Sequence, residues 1–340
     1  MKEFISDQCM VEEDPTSHPA IDAWLTINPS HSKPAKVTAL YAATMAHKKH
    51  KKKDKSAVYK LEGTGPDGRS IVAKRCTSTT LKLERCIYET ILPELPISSL
   101  QYYGDAEMDD TYWLFLEYAG GVEWRIDDKT HLELAIQWLA KMHGSSAQLK
   151  ALSLLPDRGP RYYLSQLTTA RQRIQENISN PAFAPADIEI LNDFLVCSSL
   201  LDKRWQDIES FCNTMPVTLV HNDFVSKNVH VRTTEQGLIL LPFDWEQSGK
   251  GVPTTDLFWM FLKAPKTSIT RYCEYLREYN TSIDLQDAKQ LMKTGVIFRL
   301  LDEIEWVSLY FPTESPNKRM YRTKHYTDKL KQAYHALGWS

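Results

Sequence analysis

Residues 217–244 read VTLVHNDFVSKNVHVRTTEQGLILLPFD, and Trp245-Glu246 follow. Short apolar runs alternate here with polar loops, inside a part of the chain whose other segments carry helical periodicity. Val217 to Val220 predicts a buried strand that ends on His221-Asn222-Asp223. Asn228 comes five residues after Asp223 and opens a second strand, Val229-His230-Val231. A turn over Thr233 to Gly237 leads into Leu238 to Leu241 and then Phe243-Asp244. Strand ends hold side chains rigidly, so Asp223, Asn228 and Asp244 are expected to emerge from apolar scaffolding into a shared space.

Three such groups suit phosphoryl transfer from a nucleotide, which needs a carboxylate to orient and deprotonate the acceptor hydroxyl and an amide plus a carboxylate to hold magnesium. Magnesium takes few, hard oxygen ligands and keeps some of its waters, so one Asn and one Asp suffice. The alternative is a set of solvated turns, where Asn and Asp are common. The second carboxylate, arriving at the end of an apolar strand, favours the chemical reading.

Working outward, helical patterns are expected near 162–177, 187–211, 255–262, 267–279, 285–310 and 324–336. Thr130 followed by Glu133 resembles a capping box that opens LELAIQWLAKMH. The first third reads differently. Residues 19–27 predict a short helix with Pro at its start, and Val37 to Met45 a strand. Residues 58–74 predict a hairpin around Pro66-Asp67-Gly68, and Tyr112 to Tyr118 an apolar strand that ends at Gly120-Gly121. A helix over Thr80 to Leu92 is stopped by Pro93. The expected architecture is α+β: an N-terminal lobe over 1–118 with a small antiparallel sheet and one helix, then a helical C-terminal lobe over 119–340 with the catalytic loop and acceptor site.

Lys74 ends the second hairpin strand. On a 3.6-residue period Leu81, Glu84, Ile87, Tyr88 and Ile91 share one face, which puts a carboxylate inside an apolar stripe. Desolvating it without a partner costs several kcal/mol, so Glu84 is expected to pair with Lys74 and leave the ammonium aimed at nucleotide phosphates. Glu89 falls with Lys82 and Arg85 on the charged face and reads as a surface residue.

Together, VAK (72–74), LERCIYETILPELP (83–96), WLFLEYAGG (113–121), LVHNDFVSKNV (219–229) and FDWEQSGKGVPTTDL (243–257) resemble the aminoglycoside phosphotransferase and choline kinase family. The resemblance covers roughly residues 35–265 and implies a bilobal protein-kinase-like fold and an ATP- or GTP-dependent, magnesium-dependent small-molecule kinase. It implies Asp223 as the catalytic base, Asn228 and Asp244 as magnesium ligands, and Lys74 with Glu84 as the phosphate-positioning pair. It also implies that the backbone of Glu117 to Ala119 meets the adenine and that Ser56 is a phosphate-loop serine. Lys227 is either a further charge near the transferred group or a solvated lysine. Asp256 reads as a structural cap that braces the catalytic loop.

Some features mislead. Gly63 to Gly68 spells G-x-G-x-x-G, but a dinucleotide fingerprint must open a helix, and a strand follows here. The phosphate-covering position falls to Ala46 to Ser56, which holds the lysine run Lys48 to Lys55 and no glycine. Like-charge blocks are usually solvated; phosphate contact by these lysines is the alternative. The run has no interleaved aromatics to stack bases, so nucleic acid is not expected as a partner. Glu246, two residues after Asp244, is a candidate contact to a cationic acceptor such as an aminoglycoside-like or amino-alcohol molecule. Asp302 to Trp306 could add to an acidic, aromatic lining, although an ordinary solvated helix face explains that stretch as well. Phe258 and Trp259 read as core.

The chain has 340 residues, 42% hydrophobic and 25% charged, as expected of a globular protein rather than a disordered one. Lys plus Arg (41) nearly balances Asp plus Glu (43), so no whole-chain field points to nucleic acid or an anionic membrane. No apolar run approaches the ~20 residues of a membrane span, and the N-terminus does not read as a signal peptide. Six scattered cysteines suit a reduced, cytoplasmic protein. The rival readings are a protein Ser/Thr kinase and a catalytically inactive kinase-like binding protein. Against the first, Asp244 is followed by Trp-Glu rather than Phe-Gly, and no Ala-Pro-Glu appears.

Overall fold

The computed structural model describes residues 11–14, 18–42, 56–279, 281–311 and 316–339. The lysine run 48–55 lies outside them, as do the last residues of the strand expected to reach Met45. The chain divides into two compact units, one running to Trp124 and including Ser226–Glu246, the other made of Arg125–Val225 and the chain from Gln247 onward.

The first unit is built on a six-stranded antiparallel sheet ordered β1-β2-β3-β4-β6-β5. Its strands are β1 (Val11–Glu13), β2 (Lys36–Ala42), β3 (Ala57–Glu62), β4 (Ile71–Cys76), β5 (Tyr102–Met108) and β6 (Thr111–Glu117). The Gly63–Gly68 stretch is the β3–β4 turn, closed by the Gly65 N–H on the Arg69 carbonyl at 2.9 Å. Alternation along β3 and β4 separates the sheet's faces. Tyr59, Leu61, Ile71 and Ala73 bury one face against helix α1 (Pro19–Ile27), whose Trp24 packs 5.3 Å from Phe115. Lys74 points to the other face, in register with Val58 and Leu114.

Helix α2 (Ser78–Cys86) starts on a Thr77 cap, whose hydroxyl accepts from the Thr80 N–H at 3.2 Å. The helix expected over 80–92 does not stay α-helical: Ile87–Ile91 widens into a π turn and Leu92–Glu94 tightens into a 3-10 turn carrying Pro93. Strands β7 (Val122–Glu123), β9 (Val229–Thr234) and β10 (Gly237–Pro242) form a second sheet in this unit, ordered β10-β9-β7. The linker glycine Gly121 sits at φ +66, and a Cβ there would come within 2.2 Å of the Val231 carbonyl oxygen; only glycine fits.

The second unit is helical. It contains α3 (Lys129–Ser146), α4 (Pro160–Asn177), α5 (Pro185–Lys203), α6 (Trp205–Asn213), α7 (Phe258–Leu262), α8 (Ser268–Leu276), α9 (Leu285–Ser308) and α10 (Pro316–Ala336). The capping box expected at Thr130 does not form, and the N-cap lies two residues earlier. Asp128 caps α3, its carboxylate accepting from the N–H groups of Thr130 and His131 at 2.9 and 3.1 Å; a carboxylate is at least as good an N-cap as a threonine. The helix expected over 187–211 breaks at Arg204 into α5 and α6. Strand β8 (Thr218–Val220) pairs with β11 (Gly249–Gly251), so the strands of the 217–244 stretch belong to two different sheets. Val217, expected to be buried, is half exposed at 50%.

Gly295 lets α9 approach the turn ahead of α7, since a Cβ there would lie 2.0 Å from the Thr254 carbonyl oxygen. Gly→Ala in a helix normally stabilises by about 1 kcal/mol. Here overpacking reverses the sign and costs about 1–3 kcal/mol, so Gly295→Ala is expected to lower the thermal midpoint by several degrees. An unchanged or raised midpoint in calorimetry would contradict this contact.

Candidate active site

The sheet-bearing unit concentrates charge around Lys74. Its Nζ lies 2.8 Å from Glu84 Oε1, 2.6 Å from Asp244 Oδ1 and 3.8 Å from Glu246 Oε2. Lys74 is buried, and Glu84 has no exposed surface. Burial opposes the ammonium's charge, but Glu84, Asp244 and Glu246 outweigh it and hold the Lys74 pKa well above its ordinary value. Burial pushes the Glu84 carboxyl up to about 7 against the pull of Lys74. Among the described residues Glu84 Oε2 is buried with no hydrogen-bond partner, and Lys74 relieves the carboxylate's desolvation through Oε1. Glu89 is exposed.

Paired strand ends bring Asn228 and Asp244 together. Val229 pairs with Pro242, and the Phe243 N–H donates to the Asn228 carbonyl at 2.9 Å. Asn228 is buried, whereas the Asp244 side chain keeps 30% of its surface exposed. Asp244 adopts φ +66, a left-handed conformation that costs a non-glycine residue roughly 1 kcal/mol or more. The two offer amide and carboxylate oxygens, the hard donors that magnesium takes. Lys227 is exposed, and Ser56 is half-buried directly ahead of β3.

The segment after β6 is clasped by β9, which sequence reasoning missed. Arg232 Nη1 lies 2.6 Å from Glu117 Oε1 and 3.3 Å from the Ala119 carbonyl, and His230 Nδ1 lies 2.7 Å from the Gly120 carbonyl. Lys60, Ser70, Glu117, Tyr118 and Arg232 line an open hollow of about 610 Å³ beside this segment.

In the helical unit the loop His221–Asp223 is fixed from beneath. Asp256 accepts from the backbone N–H groups of His221 and Asn222, both at 2.8 Å, and lies 3.2 Å from His143 Nε2. His143 Nδ1 in turn meets Tyr272 Oη at 2.9 Å. Asp256 therefore braces the loop, but it caps no helix: Leu257 occupies the N-cap position of α7. Asn222, at φ +63, is held by Thr255 and Tyr163 through its Oδ1 and donates to the Gln247 carbonyl at 3.1 Å.

Asp223 is met by an arginine the sequence reading did not single out. Arg299 Nη1 donates to Asp223 Oδ1 at 2.8 Å and to the Asn222 carbonyl at 3.3 Å, while Nη2 donates to Glu303 Oε1 at 2.7 Å. Burial works against the guanidinium, but Asp223 and then Glu303 outweigh it and raise its pKa. Phe258, expected in the core, lies beneath this guanidinium at 5.8 Å; Trp259 is buried.

The acids of 302–305 are engaged inside the unit rather than offered to a ligand. Gln166 donates to Asp302, Arg299 and Tyr326 donate to Glu303, and Arg173 donates to Glu305. Trp306 is 47% exposed, with the Arg322 guanidinium 5.7 Å from its ring.

Burial pushes Asp302 up to about 7, against the pull of Arg299 and Arg158. A carboxyl whose folded pKa is raised stabilises the fold fully below its unfolded value, near 4, and that contribution is lost as pH rises towards the folded value. Asp302→Asn should therefore gain thermal stability over the unaltered chain at pH 8 and lose that advantage near pH 4. An equal midpoint difference at both pH values in a melting series would show that Asp302 is not held in this way.

No curated protein matches the sequence. Solved structures do. An ethanolamine kinase of Plasmodium vivax is similar over 82% of this chain and 78% of its own, with a TM-score of 0.56 and 13% identity. A spectinomycin phosphotransferase solved with ADP and spectinomycin is similar over 93% and 98%, with a TM-score of 0.55 and 12% identity. The GDP complex of an aminoglycoside 2′-phosphotransferase variant is similar over 92% and 97%, with a TM-score of 0.58 and 12% identity. The fold is accordingly the protein-kinase-like one expected from the sequence. A model of the phosphotransferase enzyme family matches residues 67–288, well over half of the chain, which therefore belongs to the aminoglycoside phosphotransferase (APH) family of phosphotransferase enzymes.

Proposed function

We propose that the protein moves the γ-phosphoryl group of ATP or GTP, with magnesium, to a hydroxyl of a small molecule such as an amino alcohol, an aminoglycoside-like compound or another natural product. The observation that carries this reading is the buried Lys74, held at 2.8 Å by Glu84 and at 2.6 Å by an Asp244 whose strand end adjoins Asn228. Lys74 and Glu84 would position the nucleotide's phosphates, with Ser56 beside them and the backbone of Glu117 to Ala119 against the base. Asn228 and Asp244 would hold magnesium, which when bound neutralises charge on the nucleotide's terminal oxygens. Glu246, 36% exposed and 3.8 Å from Lys74, would contact a cationic acceptor.

Asp223 would accept the proton of the acceptor hydroxyl. The acceptor oxygen then forms the new bond to the γ-phosphorus, and the bond from that phosphorus to the bridging oxygen breaks to release the nucleoside diphosphate. Structures similar to this chain hold ADP in one case and GDP in another, so both nucleotides belong in the assay. A cytoplasmic location accords with Cys76, Cys86, Cys197, Cys212 and Cys273, all free thiols. Among the described residues no helix is long and apolar enough to cross a membrane.

Asp223→Ala should lower turnover about 10²- to 10⁴-fold, the range of a general base, while leaving nucleotide affinity close to that of the unaltered chain. Asp244→Ala should instead remove the magnesium-dependent part of nucleotide affinity, read by calorimetry with and without the ion. The acceptor class comes from screening hydroxyl-bearing amines, sugars and nucleosides for nucleotide consumption. Undiminished turnover in Asp223→Ala would exclude that residue as the base, and nucleotide binding with no turnover on any acceptor or on water would make the protein a binding module.

A further inference from the structure

The family match ends at residue 288, yet the side chain that grips Asp223 comes from beyond it. We propose that Arg299, on α9, is a positioning residue that sets the orientation of Asp223, and that Glu303 and Tyr326 hold it in place. The inference rests on the reading of Asp223 as the base for the acceptor hydroxyl.

The geometry is that of a clamp. One guanidinium nitrogen reaches both the Asp223 carboxylate, at 2.8 Å, and the carbonyl of Asn222, at 3.3 Å, so it fixes side chain and backbone of the loop together. The other nitrogen is held at 2.7 Å by Glu303, and Tyr326 of α10 donates to the second oxygen of Glu303 at 3.2 Å. A planar guanidinium presents donors in a fixed fork, so three acceptors at these positions define its plane. Asp223 then has little freedom about its own side-chain torsions, because rotation breaks a charge-assisted hydrogen bond.

A purely structural salt bridge would place the arginine where packing needs it. The packing of α9 is already supplied by Leu291, Phe298, Leu301 and Ile304, all buried, and by the close approach at Gly295. The guanidinium is spent on the loop and on the carboxylate that holds it. Two acids, Asp223 and Glu303, flank one cation, so Asp223 is oriented without the arginine's charge standing uncompensated beside it. Phosphoryl transfer depends strongly on alignment of the attacking oxygen, and a misplacement of about 1 Å costs on the order of 10²-fold in rate.

The test measures consumption of magnesium ATP and magnesium GTP, with water and with the best acceptor from the panel, in the full chain. Arg299→Met is expected to lower kcat about 10- to 100-fold, with the dissociation constant for ADP and the acceptor KM within about threefold of the unaltered values. Arg299→Lys should recover part of the loss, since an ammonium can reach Asp223 but cannot hold all three acceptors. Glu303→Gln should cost several-fold in kcat alone. Should Arg299→Met fail to fold, the lysine and glutamine variants decide: intermediate kcat in both supports the assignment, and unaltered kcat in both overturns it. Folded Arg299→Met with unaltered kcat overturns the proposal alone. Turnover in the unaltered chain that does not depend on Asp223, or its absence, overturns the reading of the base and the proposal with it.

Discussion

A buried ammonium inside a β-strand organises the first unit. Taking Lys74 out of water is tolerable only if anions surround it, because an isolated buried charge costs several kcal/mol even after the protein relaxes. That requirement reaches well beyond the strand. It needs α2 to begin at Thr77 so that Glu84 falls on its inner face, and β10 to end where Asp244 can turn back at a positive φ. Glu84 is in turn fully buried, so neither member of the Lys74–Glu84 pair is stable alone, while Asp244 keeps part of its side chain in water. Together they form a charge cluster whose members hold one another in place within the unit.

The second unit applies the same logic to a carboxylate. Asp256 has no exposed surface and answers two backbone N–H groups of the loop that carries Asp223. A buried acceptor of this kind is fully committed, since removing it would strand both donors at a cost of about 1–3 kcal/mol each. His143 and Tyr272 extend the network into α3 and α8. The loop's position is thus specified by polar contacts from several helices, while its apolar neighbour Phe224 packs 6.0 Å from Trp138.

How far the sequence could be read follows from where each signal resides. Glu84 was legible because a charge interrupts an apolar helical stripe, and Lys74 because it lies in an alternating strand just ahead of that helix. The hairpin and its glycine turn were legible from alternation and turn chemistry. Arg299 carried the same kind of signal as Glu84, a charge within the apolar run Val296-Ile297-Phe298-Arg299-Leu300-Leu301, but its partner lies 76 positions away and no local pattern announces it. The acidic stretch 302–305 looked available for a cation because, besides Arg299 on the same helix, its partners Gln166, Tyr326 and Arg173 come from other helices. The break at Arg204 and the π turn at Ile87–Ile91 were hidden because periodicity continues across both. Strand β5 was missed because its polar and glycine residues, Gly104, Asp105 and Glu107, mask the alternation.

The contact between Gly295 and the Thr254 carbonyl also bears on motion. A helix seated directly on a neighbouring peptide group has no clearance in that direction, so α9 can neither sink towards the turn nor roll about its axis without lifting away from its seat. Arg299 stands one helical turn further on. An excursion of its guanidinium therefore has to break the hydrogen bonds to Asp223, Asn222 and Glu303, because the seated helix cannot carry the side chain away in that direction.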